Sequence, residues 1–205
     1  MKKIHIIILA SIFLLGCSKK ESVKISEDST IVAFGDSLTF GYGASQNESY
    51  PNVLKEKIGI NVVNEGISGN TTKDGVNRIE AVISEHNPSL ILVGLGGNDM
   101  LRNVSEEETK ENLSKIIKIS QSKGIQVILL ATPKPSGLGL IGYLSDAEFY
   151  KELAEQHNVL LIEDVYSKWL EKNEYKSDQI HLNSKGYQKV AEHIAEFLKE
   201  ENLIN

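Results

Sequence analysis

Five short, mostly apolar runs occur between residues 30 and 162, and longer segments with apolar residues at helical spacing separate them. The runs are Ile31–Phe34, Ile60–Val63, Leu90–Leu95, Ile125–Ala131 and Val159–Ile162. Apolar runs of this length are typical of strands that are buried on both faces of a parallel sheet. Their alternation with helices predicts an α/β domain, in which a five-stranded parallel sheet is covered on both faces as a three-layer α/β/α sandwich.

Two segments carry clear helix signals, one between the apolar runs and one after the last of them. Ser105-Glu106-Glu107-Glu108 is a capping-box sequence that predicts a helix start, and Gly124 predicts the end of that helix. The last helix is indicated by apolar residues at helical spacing, which are Tyr187, Val190, Ala191, Ile194 and Leu198. We find no internal repeat and no second domain, so residues 30–205 are predicted to form one domain.

The first 29 residues do not share this alternation. Lys2 and Lys3 precede an almost unbroken apolar run from Ile4 to Gly16. As a helix this run would span about 20 Å, which is shorter than the roughly 30 Å hydrocarbon core of a bilayer. It is therefore predicted to be a signal peptide over residues 1–16. Residues 17–29 are mostly polar and have no periodicity, which predicts a tether.

Charge and cysteine usage exclude several function classes. The 205-residue chain has 22 basic and 28 acidic residues and a formal net charge of −6. A negative surface repels polyanions, so we expect no nucleic-acid partner. Cys17 is the only cysteine in the sequence, which excludes an internal disulfide framework and any cysteine-rich zinc or iron–sulfur site.

Residues that can carry chemistry come directly after three of the apolar runs. Ser37 follows the first run, Gly69 lies in the glycine-rich segment after the second, and Asn98 follows the third. Asp178 and His181 lie shortly before the last helix. Ligands of parallel α/β sheets bind at the carboxyl ends of the strands, so we expect these residues to lie close together at that edge.

These residue types are the components of a serine hydrolase. A serine hydroxyl such as that of Ser37 needs a neighbouring base to take its proton, and His181 can be that base. Asp178 can hold the imidazole and stabilise its protonated form. The backbone N–H groups of Ser37 and Gly69 and the side-chain amide of Asn98 can form an oxyanion hole. At Gly69, a side chain could block the approach of the substrate carbonyl.

Other polar residues near these positions have structural interpretations. Asp36 is expected to fix the turn that carries the nucleophile, and Ser68 to shape the oxyanion turn. Three further histidines, His86, His157 and His193, are expected at loops, helix ends or solvated helix faces.

The candidate residues lie in four blocks that resemble those of the GDSL or SGNH hydrolase family. The blocks are Phe34-Gly35-Asp36-Ser37-Leu38-Thr39, Gly69, Gly97-Asn98-Asp99 and Asp178-x-x-His181. The surrounding text, SGNTTKDGVNRI and LVGLGGNDMLRNV, is similar to the bacterial thioesterase I, arylesterase and lysophospholipase branch. The resemblance implies a flavodoxin-like sheet, hydrolysis of acyl esters and possible thioesters, no metal and no cofactor. The chain departs from the family in having Leu182, where the family usually has proline after the histidine.

The end of the signal peptide resembles a second known pattern. Leu14-Leu15-Gly16-Cys17 is similar to the bacterial lipobox, in which the cysteine is lipidated and becomes the first mature residue. This implies an exported bacterial lipoprotein of the cell envelope, anchored to a membrane through Cys17. Two acyl chains are sufficient for durable anchoring. The alternative is an ordinary secretory signal with a cysteine at its end.

The expected partner is a small acyl-ester substrate, and a glycine-rich segment is a candidate to bind it. Pro133–Leu144 follows the fourth apolar run and includes the apolar residues Leu138, Leu140 and Ile141. One hypothesis is a flap over an acyl chain, with Met100 and Leu101 on the facing loop. The alternative is a mobile loop that packs its leucines on the core.

Three other functions are alternatives to a general acyl esterase. The first is an O-acetylesterase acting on cell-wall or surface polysaccharide. The second is a non-catalytic lipoprotein that binds acyl groups or glycans, since fold does not imply function. The third is a metallophosphoesterase, which would need several metal-binding histidines and an Asp-x-His near the first strand. The sequence has Asp36-Ser37-Leu38 at that position.

Overall fold

A five-stranded parallel sheet forms the centre of the computed structural model, which describes residues 24–135 and 144–205. The strands are β1 (Thr30–Gly35), β2 (Asn61–Gly66), β3 (Leu90–Gly94), β4 (Gln126–Leu130) and β5 (Leu160–Ile162). Their order across the sheet is β2-β1-β3-β4-β5, and every neighbouring pair is parallel. The α/β class and the five-stranded parallel sheet predicted from the sequence are confirmed.

Helices cover both faces of the sheet. They are α1 (Ser37–Phe40), α2 (Tyr50–Ile58), α3 (Thr72–His86), α4 (Gly97–Leu101), α5 (Glu106–Ser122), α6 (Phe149–His157), α7 (Ser167–Leu170) and α8 (Ser184–Glu200). One core lies between the sheet and α2, α7 and α8, and the other lies between the sheet and α3, α5 and α6. Successive residues of β1 point into these two cores alternately, so a continuous apolar run is needed there.

The residues predicted to start and end a helix lie at the two ends of α5. Ser105 caps the helix, because its hydroxyl accepts a hydrogen bond from the Glu108 N–H. Gly124 follows the helix with φ +76°, a conformation that glycine adopts at little cost. The last helix, α8, starts after Asn183, whose side chain accepts from the Gly186 N–H.

The topology creates a switch point at β1. The chain passes from β1 to β2 on one side of it, and β3 pairs with β1 on the other side. The connections after the carboxyl ends of β1 and β3 therefore diverge, which opens a crevice at this end of the sheet. Ser37 follows β1 directly at this position.

The packed part of the chain begins before the predicted boundary. Ile25 is only 5% exposed, and its N–H donates to the Leu203 carbonyl at 2.7 Å. The sequence prediction placed this residue in the polar tether over residues 17–29 and began the domain at Thr30. A single isoleucine in a polar stretch gives no periodicity, and its backbone partner lies at the other end of the chain.

Several predictions fall on residues outside the described ranges. These are the signal peptide over residues 1–16, the lipidated Cys17 and the flap residues Leu138, Leu140 and Ile141. Within residues 24–135 and 144–205, no helix has both the length and the apolar character needed to cross a bilayer.

Candidate active site

A tight turn after β1 places Ser37 at the carboxyl edge of the sheet. Asp36 caps the short helix α1, because its Oδ1 accepts from the Leu38 N–H at 3.0 Å. Ser37 is the first residue of that helix. The turn needs glycine at position 35, where any Cβ would collide with the Thr39 hydroxyl. The sequence around this turn therefore fixes the backbone position from which the Ser37 side chain projects.

The structure brings His181 and Asp178 to this serine, although 144 positions separate Ser37 and His181. The His181 Nε2 lies 3.0 Å from the Ser37 Oγ, and the His181 Nδ1 lies 2.8 Å from the Asp178 Oδ2. With the ring proton on Nδ1, His181 donates to Asp178 and accepts from the Ser37 hydroxyl. A proton can therefore pass from Ser37 to His181 while the carboxylate holds the ring.

Asp178 is held by its own turn. Its Oδ1 accepts from the backbone N–H groups of Ile180 and His181, both at 2.9 Å. Burial acts to raise the pKa of Asp178, but hydrogen bonds from the His181 ring and from these N–H groups hold the pKa below its usual value. Asp178 is therefore ionised at neutral pH, as the partner of an imidazolium must be.

The two other candidate donors lie beside Ser37. Asn98 is near the start of α4, and its Nδ2 donates to the Asn70 carbonyl at 3.0 Å and to the Asp36 Oδ2 at 3.3 Å. Gly69 lies in a turn that is closed by a hydrogen bond from the Asn70 N–H to the Ile67 carbonyl. Its φ of +83° is a second reason for glycine at this position. Ser37, Gly69 and Asn98 all line one pocket.

Asp36 is one of the residues that line this pocket, and it is only 3% exposed. Burial raises the pKa of Asp36 to about 7, against the opposing effect of the hydrogen bonds from Leu38 and Asn98. The two carboxylate oxygens contact different elements, since Oδ1 holds the nucleophile turn and Oδ2 contacts Asn98. The turn-fixing role expected for Asp36 therefore includes a contact with a candidate oxyanion donor.

The pocket has a volume of about 300 Å³ and mostly apolar walls. Its apolar lining residues include Leu38, Tyr42, Leu101, Pro133, Pro135, Leu144, Leu170 and Ile180. The two described ends of the segment Pro133–Leu144, which are residues 133–135 and Leu144, therefore line the pocket. These ends pair as antiparallel backbone, since the Lys134 N–H donates to the Ser145 carbonyl and the Ala147 N–H to the Thr132 carbonyl.

Leu101 lines the pocket, whereas Met100 is not among the described residues that line it, and the substrate contact expected for Met100 stays a prediction. Met100 packs against the core between the sheet and the helices α3, α5 and α6. Leu101 is 46% exposed and faces the pocket. Neighbouring residues of a helix point about 100° apart, so α4 directs the two side chains to different environments.

One aromatic residue beside the triad, Tyr42, was not predicted from the sequence. The Tyr42 ring lies 4.5 Å from the His181 ring, centroid to centroid, and is tilted against it. The Tyr42 N–H donates to the Ser37 carbonyl, and the Tyr42 carbonyl accepts from the Tyr187 hydroxyl. The only sequence signal is its place between Gly41 and Gly43, which have φ values above +90° and shape the loop.

The other three described histidines interact elsewhere. The His86 Nε2 lies 2.8 Å from the Glu65 Oε1, and the His157 Nε2 lies 2.9 Å from the Ser114 hydroxyl. His193 is on α8 and partly buried. In the ranges 24–135 and 144–205, no group of three or more His, Cys, Asp or Glu side chains is arranged to hold a metal ion.

The chain is similar in sequence and in fold to several known proteins. The model of the GDSL-like lipase/acylhydrolase family matches residues 33–189. Thioesterase 1/protease 1/lysophospholipase L1 of Escherichia coli K12 is 31% identical over 178 residues, which cover 83% of each chain. The crystal structure of AlinE4, described as an SGNH-hydrolase family esterase, superimposes with a TM-score of 0.65 at 30% identity, over 86% of this chain and 98% of AlinE4.

A third relative matches only part of the chain. The uncharacterized lipoprotein YqeF of Bacillus subtilis is 32% identical over 114 residues, which cover 49% of this chain and 46% of YqeF.

Proposed function

Because the chain belongs to the GDSL-like lipase/acylhydrolase family and is an ester-hydrolysing enzyme, we propose that Ser37 is its nucleophile, His181 its general base and Asp178 the orienting carboxylate. One observation carries this assignment. The Ser37 Oγ, His181 Nε2, His181 Nδ1 and Asp178 Oδ2 form a continuous chain with contacts of 3.0 and 2.8 Å at the carboxyl end of β1. These distances lie within hydrogen-bond reach, which proton transfer requires.

The reaction follows from this arrangement. The Ser37 Oγ attacks the substrate carbonyl carbon while its proton moves to the His181 Nε2. The tetrahedral intermediate collapses when the bond to the leaving alcohol or thiol breaks, and His181 returns the proton to the leaving group. Water then attacks the acyl-enzyme and gives a proton to His181. In the second collapse the bond from the acyl carbon to the Ser37 Oγ breaks, His181 returns the proton to that oxygen, and the carboxylic acid is released.

The oxyanion hole is proposed to consist of the N–H groups of Ser37 and Gly69 and the amide of Asn98. Such donors stabilise the negative charge that forms only on the way to the intermediate. Asn98 contacts Asp36 at a longer distance than it contacts Asn70, 3.3 Å against 3.0 Å. The bond to Asp36 is therefore the weaker one, and we expect the oxyanion to replace it.

The surroundings of the pocket favour substrates with an apolar acyl group. The large hydrophobic side chains that are exposed among the described residues are Phe40, Tyr42, Ile67, Leu101 and Ile180. All of them follow carboxyl ends of strands or border the triad in sequence, and three line the pocket. Clustered exposed apolar groups indicate a binding surface. Acyl esters of aryl or alkyl alcohols, lysophospholipids and thioesters are the proposed substrate class.

The proposed location is the bacterial cell envelope, with the protein exported and anchored through lipid on Cys17. This rests on the residues before the domain, namely the basic start, the 13-residue apolar run and the lipobox-like end at Cys17. The partial similarity to a Bacillus subtilis lipoprotein supports it. An enzyme in the envelope meets acyl esters and lysophospholipids, whereas cytosolic acyl-coenzyme A does not reach it.

The assignment of the nucleophile can be tested with Ser37→Ala and with a covalent probe. We expect Ser37→Ala to abolish hydrolysis of p-nitrophenyl esters while the thermal unfolding profile stays close to that of the parent. Ser122→Ala, on the exposed end of α5, serves as the matched control. An organophosphate should label one serine, and peptide mass mapping should place the label on Ser37. Substantial activity of Ser37→Ala, or a label on another residue, would reject the proposal.

The substrate class can be tested with a chain-length series of p-nitrophenyl esters alongside a lysophospholipid and an acetylated polysaccharide. The proposal expects higher kcat/KM on butyrate to octanoate esters than on acetate, because a longer chain buries more apolar surface in the pocket. A clear preference for acetyl groups on the polysaccharide would instead favour the O-acetylesterase alternative.

A further inference from the structure

A largely buried arginine joins the loops that carry the proposed nucleophile and the proposed oxyanion donors. Arg78 lies on α3, and its Nη2 donates to the Gly35 carbonyl while its Nε donates to the Asn70 Oδ1, both at 2.9 Å. Gly35 is the last residue of β1, two positions before Ser37. Asn70 directly follows Gly69. One side chain thus connects the end of β1 with the turn that follows β2.

Asn70 extends this connection to Asn98. The backbone carbonyl of Asn70 accepts from the Asn98 Nδ2 at 3.0 Å, while the Asn70 side chain is held by Arg78. The Asn70 N–H donates to the Ile67 carbonyl and closes the turn that contains Gly69. Asn70 is therefore fixed at three points, and the amide of Asn98 is held through one of them.

Arg78 is itself fixed by its surroundings. Its guanidinium lies over the Phe34 ring at 3.8 Å from the centroid, and its side chain is 16% exposed. The Nη1 is 3.7 Å from the Glu65 Oε2, and Glu65 is also contacted by His86. A planar guanidinium can stack on a ring and donate in two directions at once, which a lysine ammonium cannot do at the same position.

The hydrogen-bonding pattern of Arg78 favours a role toward the loops. Its Nη1 is buried and has no hydrogen-bond partner among the described residues. Burial of an unused N–H opposes folding. The guanidinium therefore forms hydrogen bonds with Gly35 and Asn70, whereas its Nη1 approaches Glu65 only to 3.7 Å.

We propose that Arg78 is a positioning residue, which acts through Asn70 to hold the Asn98 amide in the geometry that receives the oxyanion. The inference rests on the proposed role of Asn98. Donors that are already in place stabilise the transition state without reorganisation. Loss of Arg78 should therefore lower kcat, and KM should change little, because substrate binding precedes formation of the charge.

The first test compares Arg78→Met and Arg78→Lys with Lys73→Met, which removes one positive charge from an exposed position on the same helix. We expect Arg78→Met to lower kcat about 10–100-fold on p-nitrophenyl butyrate, the size of effect that displacement of a catalytic group produces. Arg78→Lys should be intermediate and Lys73→Met unchanged. An organophosphate titrates the active sites of each variant. The rate is divided by the titrated concentration, so that misfolded protein does not lower kcat.

The second test is a double-mutant cycle with Asn98→Ala. If Arg78 acts through Asn98, Arg78→Met should lower kcat by no more than about threefold in the Asn98→Ala background, because its target is gone. Asn70→Ala should reproduce the loss seen with Arg78→Met in the parent. If Arg78→Met does not fold, Arg78→Lys and Asn70→Ala complete the same cycle.

Two outcomes would overturn the inference, and both can be separated from failure of the proposed function. An unchanged kcat for Arg78→Met, or full multiplication of its effect with that of Asn98→Ala, would show that Arg78 does not act through Asn98. In either case an inactive Ser37→Ala would leave the proposed nucleophile standing. An active Ser37→Ala would refute the proposed function itself.

Discussion

Asn98 donates two hydrogen bonds in the resting site, and their acceptors differ in kind. One acceptor is the neutral carbonyl of Asn70, and the other is a carboxylate oxygen of Asp36. The oxyanion must take one of these two amide hydrogens. At the scale of single residues, the proposed binding of the oxyanion is therefore an exchange of acceptors at the Asn98 amide. The bond to Asp36 is lost, and the bond to Asn70, whose side chain Arg78 holds, is kept.

The role of Asn98 can be measured directly. We expect Asn98→Ala to lower kcat about 10²–10³-fold, because the amide binds charge that exists only in the transition state. KM should change much less. Asn77→Ala, at an exposed position on α3, is the control. If instead KM rose and kcat were kept, Asn98 would position the substrate rather than stabilise the oxyanion.

Asp36 gives the fold a dependence on pH. Its pKa is raised by burial from the ordinary 3.8 to about 7 in the folded state. Below about pH 4 both the folded and the unfolded chain hold the proton. Between about pH 4 and 7 only the folded chain holds it, so the contribution of Asp36 to stability falls as the pH rises through this window.

Asp36→Asn tests this linkage. The free energy of unfolding of the parent should fall from pH 4.5 to pH 7.5 relative to that of Asp36→Asn, by about 3 kcal/mol at most. Urea unfolding at the two pH values measures the difference. Asp28→Asn, at an exposed position, provides the comparison. An identical pH dependence for the parent and Asp36→Asn would contradict the raised pKa.

At the scale of elements, the helix α4 divides its residues between the core and the site. Met100 faces the core and Leu101 faces the pocket, although the sequence predicted both as substrate contacts. An apolar residue of a short helix gives no sign of which side it takes, because four or five residues are too few to define a periodicity.

Leu101→Ser and Met100→Ala form a matched pair for this division. Leu101→Ser should lower kcat/KM about tenfold on hexanoate and octanoate esters and little on acetate, since it removes apolar contact with the acyl chain. Met100→Ala should leave the chain-length profile unchanged and lower the free energy of unfolding by about 1–2 kcal/mol. Equal losses on all chain lengths for Leu101→Ser would disprove the acyl contact.

The edge strand β2 extends beyond the apolar run that predicted it. The run predicted a strand over Ile60–Val63, whereas β2 extends to Gly66 through two polar residues, Asn64 and Glu65. These pair with Ala33 and Phe34 of β1. Polar side chains are tolerated there because β2 is at the edge of the sheet and its last four residues are only partly buried.

At the scale of the whole molecule, Ile25 packs at the end of the domain that lies away from the site. His181 lies just before α8, and Leu203, the backbone partner of Ile25, lies just after it. Seventeen helical residues separate these ends by about 25 Å. The described chain therefore enters the domain at Ile25, at the end of α8 that lies away from His181.

Cys17→Ser tests the proposed anchoring. In the native host, the parent should incorporate a labelled fatty acid and sediment with membranes. The Cys17→Ser protein should do neither, because its attachment to lipid is lost. Hydrolysis of a soluble p-nitrophenyl ester should stay the same, since Cys17 is predicted to precede the catalytic domain. A Cys17→Ser protein that still carries the label would refute lipidation at this residue.

The sequence by itself determined the α/β class, the five strands and the family, because buried strands need continuous apolar runs and the four blocks stand in a recognisable order. It also suggested Ser37, Gly69, Asn98, Asp178 and His181 as site residues, whose roles stay predictions that the contacts between them support. Only the tertiary structure decided what depends on contacts between distant residues. Examples are the burial of Asp36, the Tyr42 ring beside His181 and the bonds of Arg78 to two loops. Local sequence cannot encode such contacts, because they form only when separate elements pack together.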